Sequence, residues 1–261
     1  VTYGRLDYPA EKLQPFGRDR IVMEANTEFE RNMRIVACAK EPWTVAAIEA
    51  MQPGEVLWDV GANVGSYTLL AAARGIHVIA FEPVPENYAT LCRNLAINQL
   101  RDQVVVLPFA LGPGNGLIWM HFSDMRSGAA SHAVNDSPRK VSLHKQLIPV
   151  ITAELVTGTM GLASPHVIKL DVDGGEQNVL MGAEHLLPLG KLRAIICEMQ
   201  RTPAGKALEG WMTERGWAIH EAYEPRGPIQ YVLFTRAEPA VNGTPTELVN
   251  RAERRRLARV K

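Results

Sequence analysis

The stretch that most constrains this chain is Val56-Leu-Trp-Asp-Val-Gly-Ala-Asn-Val-Gly-Ser-Tyr-Thr68. Val56, Leu57 and Trp58 read as a buried strand, Asp59 closes it, a glycine-rich turn follows, and residues 67–73 read as a helix. Strand, glycine turn and helix form the entrance of a nucleotide-binding α/β unit, in which backbone amides at the helix N-terminus face a ligand. Gly61 and Gly65 flank Asn63, whereas the dinucleotide fingerprint requires a glycine where Asn63 stands. Asp59 would repel a pyrophosphate but can accept hydrogen bonds from a cationic or amino-bearing ligand. S-adenosylmethionine, with its ammonium, sulfonium and ribose, is such a ligand. The competing reading is an ordinary βα turn whose glycines serve the backbone alone.

The residues downstream fit the ligand reading. A second strand, 77–81, ends at Glu82, roughly twenty residues after the turn, where doubly wound folds place a carboxylate on the nucleotide ribose. A strand-end acid in solvent is the alternative. Pro85 suits a first helical turn, and Tyr88, Leu91 and Leu95 share one face of a helix reaching about Asn98. After a third strand, 104–107, the loop 109–111 would lie beside a bound base. It carries no carboxylate, so adenine contacts would come from backbone or apolar groups, Ala110 among them. Residues 117–122 are short and apolar, an added strand or hairpin arm. Residues 123–146 lose apolar periodicity, and a loop of that length in a compact domain is usually functional. His121, His132 and His144 fall in or near it, at irregular spacing more typical of solvated histidines than of bases. Residues 147–151 lead into a short helix at 153–156.

The second informative stretch is His166-Val-Ile-Lys-Leu-Asp-Val-Asp-Gly-Gly-Glu-Gln-Asn-Val-Leu180. Residues 167–170 read as a strand with an unexpected charge, Lys169, inside it. Asp171, Asp173 and Glu176 crowd three acids into the following turn, and such acids repel one another unless a cation, proton or donor intervenes. Ligands of open α/β sheets bind at these strand ends. A capping turn, with Asp173 as N-cap and Glu176 near N3, is compatible with the same residues. A fifth strand, 192–198, again ends in a carboxylate, Glu198. A helix follows at 204–214, and strands near 217–220 and 230–234 read as an antiparallel pair.

Upstream, Phe29, Met33 and Val36 suggest a helix that Pro42 interrupts, and 43–51 form a second one. These helices would pack on the sheet or cover a ligand, and residues 1–27 read as an irregular lead-in. The division expected is a helical extension over 1–53, a ligand-binding domain over 54–236 and a basic tail over 237–261. Lys plus Arg and Asp plus Glu number 28 each, so no global field favours nucleic acid. The basic tail reads as a solvated end more readily than as an RNA- or lipid-binding arm. Cys38, Cys92 and Cys197 are far apart, which points to reduced, buried thiols in a cytoplasmic protein. The acid cluster makes a magnesium-assisted route conceivable, but no metal site is assigned. No apolar run approaches a membrane span.

Taken together, Asp59-Val-Gly-Ala-Asn-Val-Gly-Ser-Tyr-Thr68, Phe81-Glu-Pro-Val-Pro-Glu-Asn87 and Ile168-Lys-Leu-Asp-Val-Asp-Gly-Gly-Glu176 resemble the FkbM family of S-adenosylmethionine-dependent methyltransferases over about residues 54–200. The resemblance implies a Rossmann-like class I α/β fold with a seven-stranded, mostly parallel sheet and an antiparallel last strand. It implies that Asp59, Gly61, Asn63 and Gly65 hold the methionine part of S-adenosylmethionine, that Tyr67 and Thr68 begin the covering helix, and that Glu82 holds the ribose. It further implies methyl transfer to a hydroxyl of a sugar or natural product, with S-adenosylhomocysteine as product. Asp171 is then the residue expected at the reacting centre, with Glu176 and Glu198 as base or orienting groups. The family's Glu-Gly-Ala-Glu turn is Asp173-Gly-Gly-Glu176 here, and the shorter carboxylate counts against Asp173 as a base.

The alternatives are an RNA or protein methyltransferase, a nicotinamide dehydrogenase and a cofactor-binding module without turnover. An Asn/Asp-Pro-Pro-Tyr turn is missing, which argues against methylation of exocyclic nitrogens. Asn63 argues against the dehydrogenase. A small hydroxylated acceptor remains the expected partner, and the oligomeric state is open.

Overall fold

The computed structural model describes residues 10–12, 21–28, 30–122, 126–129, 133–134, 144–223 and 228–236. In chain order, β1 (Ala10–Lys12) and β2 (Val22–Glu24) form an antiparallel ribbon. A wide turn at Glu30–Arg34 leads to α1 (Ala37–Lys40) and α2 (Pro42–Glu49). Then come β3 (Val56–Val60), α3 (Ser66–Ala72), β4 (His77–Phe81), α4 (Pro85–Ile97) and β5 (Val104–Leu107). A second group, β6 (Ala110–Leu111), β7 (Gly116–Phe122), β8 (Ala133–Val134) and β9 (His144–Ile151), forms a small sheet. The chain closes with β10 (Val167–Leu170), α5 (Glu176–Gly182), β11 (Ala194–Gln200), α6 (Pro203–Glu214), β12 (Trp217–Tyr223) and β13 (Ile229–Arg236).

Among the described residues the main sheet runs β12-β13-β11-β10-β3-β4-β5. Its strands are parallel except β13, which pairs antiparallel with both β11 and β12. The expected seven-stranded sheet with an antiparallel last strand is therefore present. All five residues of β3 are buried, as in a central parallel strand covered on both faces. Alternation sends Leu57 into the cluster that includes α3, while Val56, Trp58 and Val60 enter the cluster beneath α5 and α6. Trp58 is fully buried and packs on Phe81 with ring centroids 5.2 Å apart.

Helix α3 is buried at each of its seven positions. The sheet covers one side of it, and Met23, Ile35, Cys38 and Ile48 of the N-terminal segment join the same cluster. The N-terminal segment thus forms an outer layer over α3. Its attachment is polar as well as apolar. Asn94 of α4 accepts from the Glu24 amide at 2.8 Å and donates to the Val64 carbonyl at 2.8 Å, and Asn98 donates to the Val22 carbonyl and accepts from its amide. The two asparagines supply β2 with a substitute strand edge.

Three local expectations change. Part of the irregular lead-in, 22–24, is a strand. The looseness assigned to 123–146 stops before His144, because 144–151 pairs antiparallel with β7 from Gly116↔Val150 to Phe122↔His144. Pro149 obscures that alternation in the sequence, although Ile148 and Val150 are buried. Gly175, not Asp173, is the N-cap of α5. His132 and the basic tail lie outside the described residues. Cys38 and Cys197 are buried and Cys92 half-buried, all three as free thiols. Among the described residues no helix is long and apolar enough to cross a membrane.

Candidate active site

The glycine turn and Glu82 are bound to each other. Gly61 (φ +80°) and Gly65 (φ +96°) hold backbone conformations in which other residues are strained, and Asn63, at φ 52°, is of a type that tolerates this region. A Cβ on Gly61 would lie 1.9 Å from the Asp171 carbonyl oxygen, so the turn after β3 packs directly on the backbone after β10. The Asn63 amide donates to Glu82 Oε2 at 2.7 Å and the Val84 amide to Oε1 at 2.9 Å. Burial pushes the Glu82 carboxyl up to about 7 against the opposing pull of these two amides. Each carboxylate oxygen has a further lone pair for a hydroxyl donor.

Residues 126–129 lie beside this turn. Asn63 Nδ2 donates to the Ala129 carbonyl at 2.9 Å, and the Gly128 amide donates to Asn87 Oδ1 at 2.8 Å. Arg34 and Thr27 donate to the Gly128 and Ser127 carbonyls, so the N-terminal layer holds the other side of the segment.

Lys169 loses its oddity once the register is known. It stands beside Asp59 of β3 and Ile196 of β11, on the sheet face that the N-terminal layer covers. Its Nζ lies 3.3 Å from Asp171 Oδ2, 3.6 Å from Asp59 Oδ1 and 5.0 Å from the centre of the Tyr67 ring. Thr68 Oγ1 donates to Asp59 Oδ2 at 2.6 Å. Burial disfavours the charged Lys169, but Asp171, Asp59 and Glu41 outweigh it and hold the ammonium protonated above its ordinary range. Tyr67 is buried and donates to the Ala37 carbonyl at 3.2 Å. Burial, with Glu41 next, raises its hydroxyl far above the usual tyrosine range.

The three candidate catalytic acids separate. Leu170 pairs with Cys197, so Asp171 and Glu198 follow alongside one another at the carboxyl ends of β10 and β11. Burial, then Asp171, raises Glu198 to about 8, while a hydrogen bond with the Tyr231 hydroxyl opposes the shift. Glu176 instead turns into its own loop, where Oε1 accepts from the Gly174 amide at 2.9 Å and the Val172 amide at 3.4 Å. Asp173 holds the left-handed conformation, φ 56°, in that loop. Ala110 belongs to the small sheet and packs with Val84, two residues beyond Glu82. His121 and His144 are also strand residues of that sheet.

Sequence reasoning missed Glu41, Trp43, Tyr223 and Tyr231. Glu41 precedes α2, accepts from Thr44 Oγ1 at 3.1 Å and is raised by burial and then by Asp171. It therefore faces the same acids from the N-terminal layer. A glutamate before a proline gives no periodic signal that could have marked it. Among the described residues no group of three or more His, Cys, Asp or Glu is disposed to hold a metal ion.

The strand order, the glycine turn tied to the acid after β4, and the acids at the carboxyl ends of β10 and β11 define a class I Rossmann-like methyltransferase fold. Residues 59–217 match the model of the methyltransferase FkbM domain, and the chain belongs to that family. It is 26% identical over 140 residues to the hexuronic acid methyltransferase AglP of Haloferax volcanii, covering 54% of each chain. It is 25% identical over 176 residues to the 31-O-demethyl-FK506 methyltransferase FkbM of Streptomyces tacrolimicus, covering 57% of this chain and 66% of that one. These alignments span about half to two thirds of the curated relatives. Precorrin-6y C5,15-methyltransferase from Geobacter metallireducens superposes with a TM-score of 0.45 at 13% identity, covering 75% of this chain and 86% of that one.

Proposed function

We propose that this protein is an S-adenosylmethionine-dependent O-methyltransferase acting on a hydroxyl of a small molecule, a sugar or a natural product. The observation that carries the reading is the positive-φ turn whose Asn63 amide is bonded to Glu82, set directly against the acidic end of β10. The residues present fit the cofactor. Gly61 and Gly65 let the turn pack tightly on the Asp171 backbone and on Leu91, which fixes its amides beside Glu82, and Glu82 keeps lone pairs for ribose hydroxyls. Asp59 and Asp171 share the single ammonium of Lys169, so the pair carries one more negative charge than it neutralises, which suits a cationic ligand. When bound, S-adenosylmethionine would supply a methyl group already activated by its sulfonium.

The acceptor hydroxyl then needs positioning and a group to take its proton. Asp171 and Glu198 stand together where the reacting oxygen would lie. A carboxyl raised to about 8 accepts that proton in its ionised form, which is the main one above pH 8, an effect typically worth about 10²–10⁴-fold in rate. Glu176 has an orienting role, because its carboxylate fixes the turn that follows Asp171. The names of the two relatives, a hexuronic acid methyltransferase and a 31-O-demethyl-FK506 methyltransferase, support a small-molecule acceptor.

A thermal-shift titration with S-adenosylhomocysteine, with NAD⁺ as control, tests the cofactor class. Ligand at about 100 times its Kd stabilises the fold by about 2.7 kcal/mol, or roughly 5–10 °C for a chain of this size. Glu82→Ala should weaken that shift. A shift with NAD⁺ alone would overturn the proposal.

A further inference from the structure

The antiparallel register aligns an unusual rank of side chains. Glu198 of β11 lies opposite Tyr231 of β13, and Tyr231 lies opposite Tyr223 of β12. Directly paired residues project from the same face with Cβ atoms roughly 5 Å apart. With Asp171 beside Glu198, the rank crosses four strands at the carboxyl end of β10 and β11, on the face of the N-terminal layer. Trp43, in the first turn of α2, closes over it. The indole stacks on Tyr223 at 4.9 Å with planes 15° apart and tilts against Tyr231 at 5.1 Å.

Two features distinguish this group from a simple brace. Trp43, Tyr223 and Tyr231 all stay partly exposed, and the buried Trp43 Nε1 has no acceptor among the described residues. Apolar walls with a few convergent polar groups are the usual make-up of small-molecule sites. All three aromatics lie outside the family match at 59–217. Its charge is one-sided. Glu41, Asp171 and Glu198 face the same space, and the ammonium that reaches them, Lys169, is already shared between Asp59 and Asp171.

We infer that Trp43, Tyr223 and Tyr231, with Glu198 ending their rank, form the acceptor subsite, and that it takes an uncharged hydroxylated ring and refuses anionic ones. The C–H face of such a ring packs on the aromatic wall, an oxygen of the ring substituents accepts from the indole N–H, and a hydroxyl at its edge reaches Glu198. Above about pH 8, where Glu198 is ionised, a carboxylate or phosphate on the ring would meet its charge beside Asp171. The inference rests on the methyltransferase reading above.

The test uses the whole chain saturated with S-adenosylhomocysteine at pH 9, where Glu198 is ionised. Methyl glucoside and methyl galactoside are titrated against methyl glucuronoside and glucose 6-phosphate, with tryptophan fluorescence and thermal shift as readouts. The neutral glycosides should bind saturably and the anionic rings at least tenfold more weakly. Trp43→Ala should weaken the neutral glycosides at least tenfold while S-adenosylhomocysteine affinity stays within twofold. Trp43→Phe, which keeps an apolar contact, should fall between. Glu198→Gln, which removes charge without changing shape, should narrow the gap between neutral and anionic rings. The inference is overturned if anionic rings bind as well as neutral ones, if Trp43→Ala leaves glycoside binding unchanged, or if no pyranoside binds the cofactor-loaded protein. Failure to bind S-adenosylhomocysteine would instead sink the methyltransferase reading itself.

Discussion

Replacing Lys169 by Met tests the electrostatic centre of the molecule. The lysine is 3% exposed and Asp59 not exposed at all, and the ammonium lies 3.6 Å from Asp59 and 3.3 Å from Asp171. At an effective dielectric of about 20, each attraction is on the order of 5 kcal/mol before the cost of desolvating the ions is subtracted. Met matches most of the lysine volume, so the loss is mainly the charge left behind on Asp59. Breaking one partner out of a buried pair costs about 3–5 kcal/mol. For a chain of this length that corresponds to a Tm lower by roughly 6–20 °C. Urea unfolding followed by circular dichroism measures it, with the free energy taken from linear extrapolation. Adding Asp59→Asn should restore part of the loss, because the amide oxygen still accepts from Thr68 while the orphan charge is gone. A loss below about 1 kcal/mol, or strictly additive effects of the two substitutions, would refute the argument.

Two further outcomes follow from the same structure. Asn94→Ala strands the buried Glu24 amide and Val64 carbonyl, each at about 1–3 kcal/mol, so unfolding free energy should drop by about 2–6 kcal/mol; a change under about 1 kcal/mol would show that β2 is held without it. Glu198 binds its proton more tightly when folded, about 8 against an ordinary 4.5, so its contribution to stability is full below pH 4.5 and is lost as pH rises toward 8. Thermal melts of Glu198→Gln should therefore gain on wild type across that window, and parallel profiles would contradict the assignment.

Much of the site was legible in sequence because its parts are local. The strand, glycine turn and helix of 56–73 declare themselves through composition and spacing, and the turn's close approach to Asp171 explains why Gly61 carries no side chain. The acids after β4 and β10 were visible as strand-ending carboxylates, whereas Glu198, expected to end its strand, lies inside β11, which runs on to Gln200. The acidic turn was read only partly. Its residues suggested a box capped by Asp173, whereas Glu176 reaches back to the Gly174 amide and leaves Asp171 and Glu198 as the adjacent pair. Strand β9 escaped because Pro149 breaks an alternation that burial of Ile148 and Val150 would otherwise have shown.

By itself, then, the sequence determined the class of fold, the order of its αβ units and the place of the glycine turn. These depend on periodicity, glycine and short-range capping, which act within a few residues. The tertiary structure alone decided which charges meet. Lys169 finds Asp59 because β3 and β10 are neighbours in the sheet, and Glu41 finds Asp171 because the N-terminal layer folds over α3. Trp43 meets Tyr223 across most of the chain's length. Contacts of that separation are set by strand order and register, which no local pattern encodes.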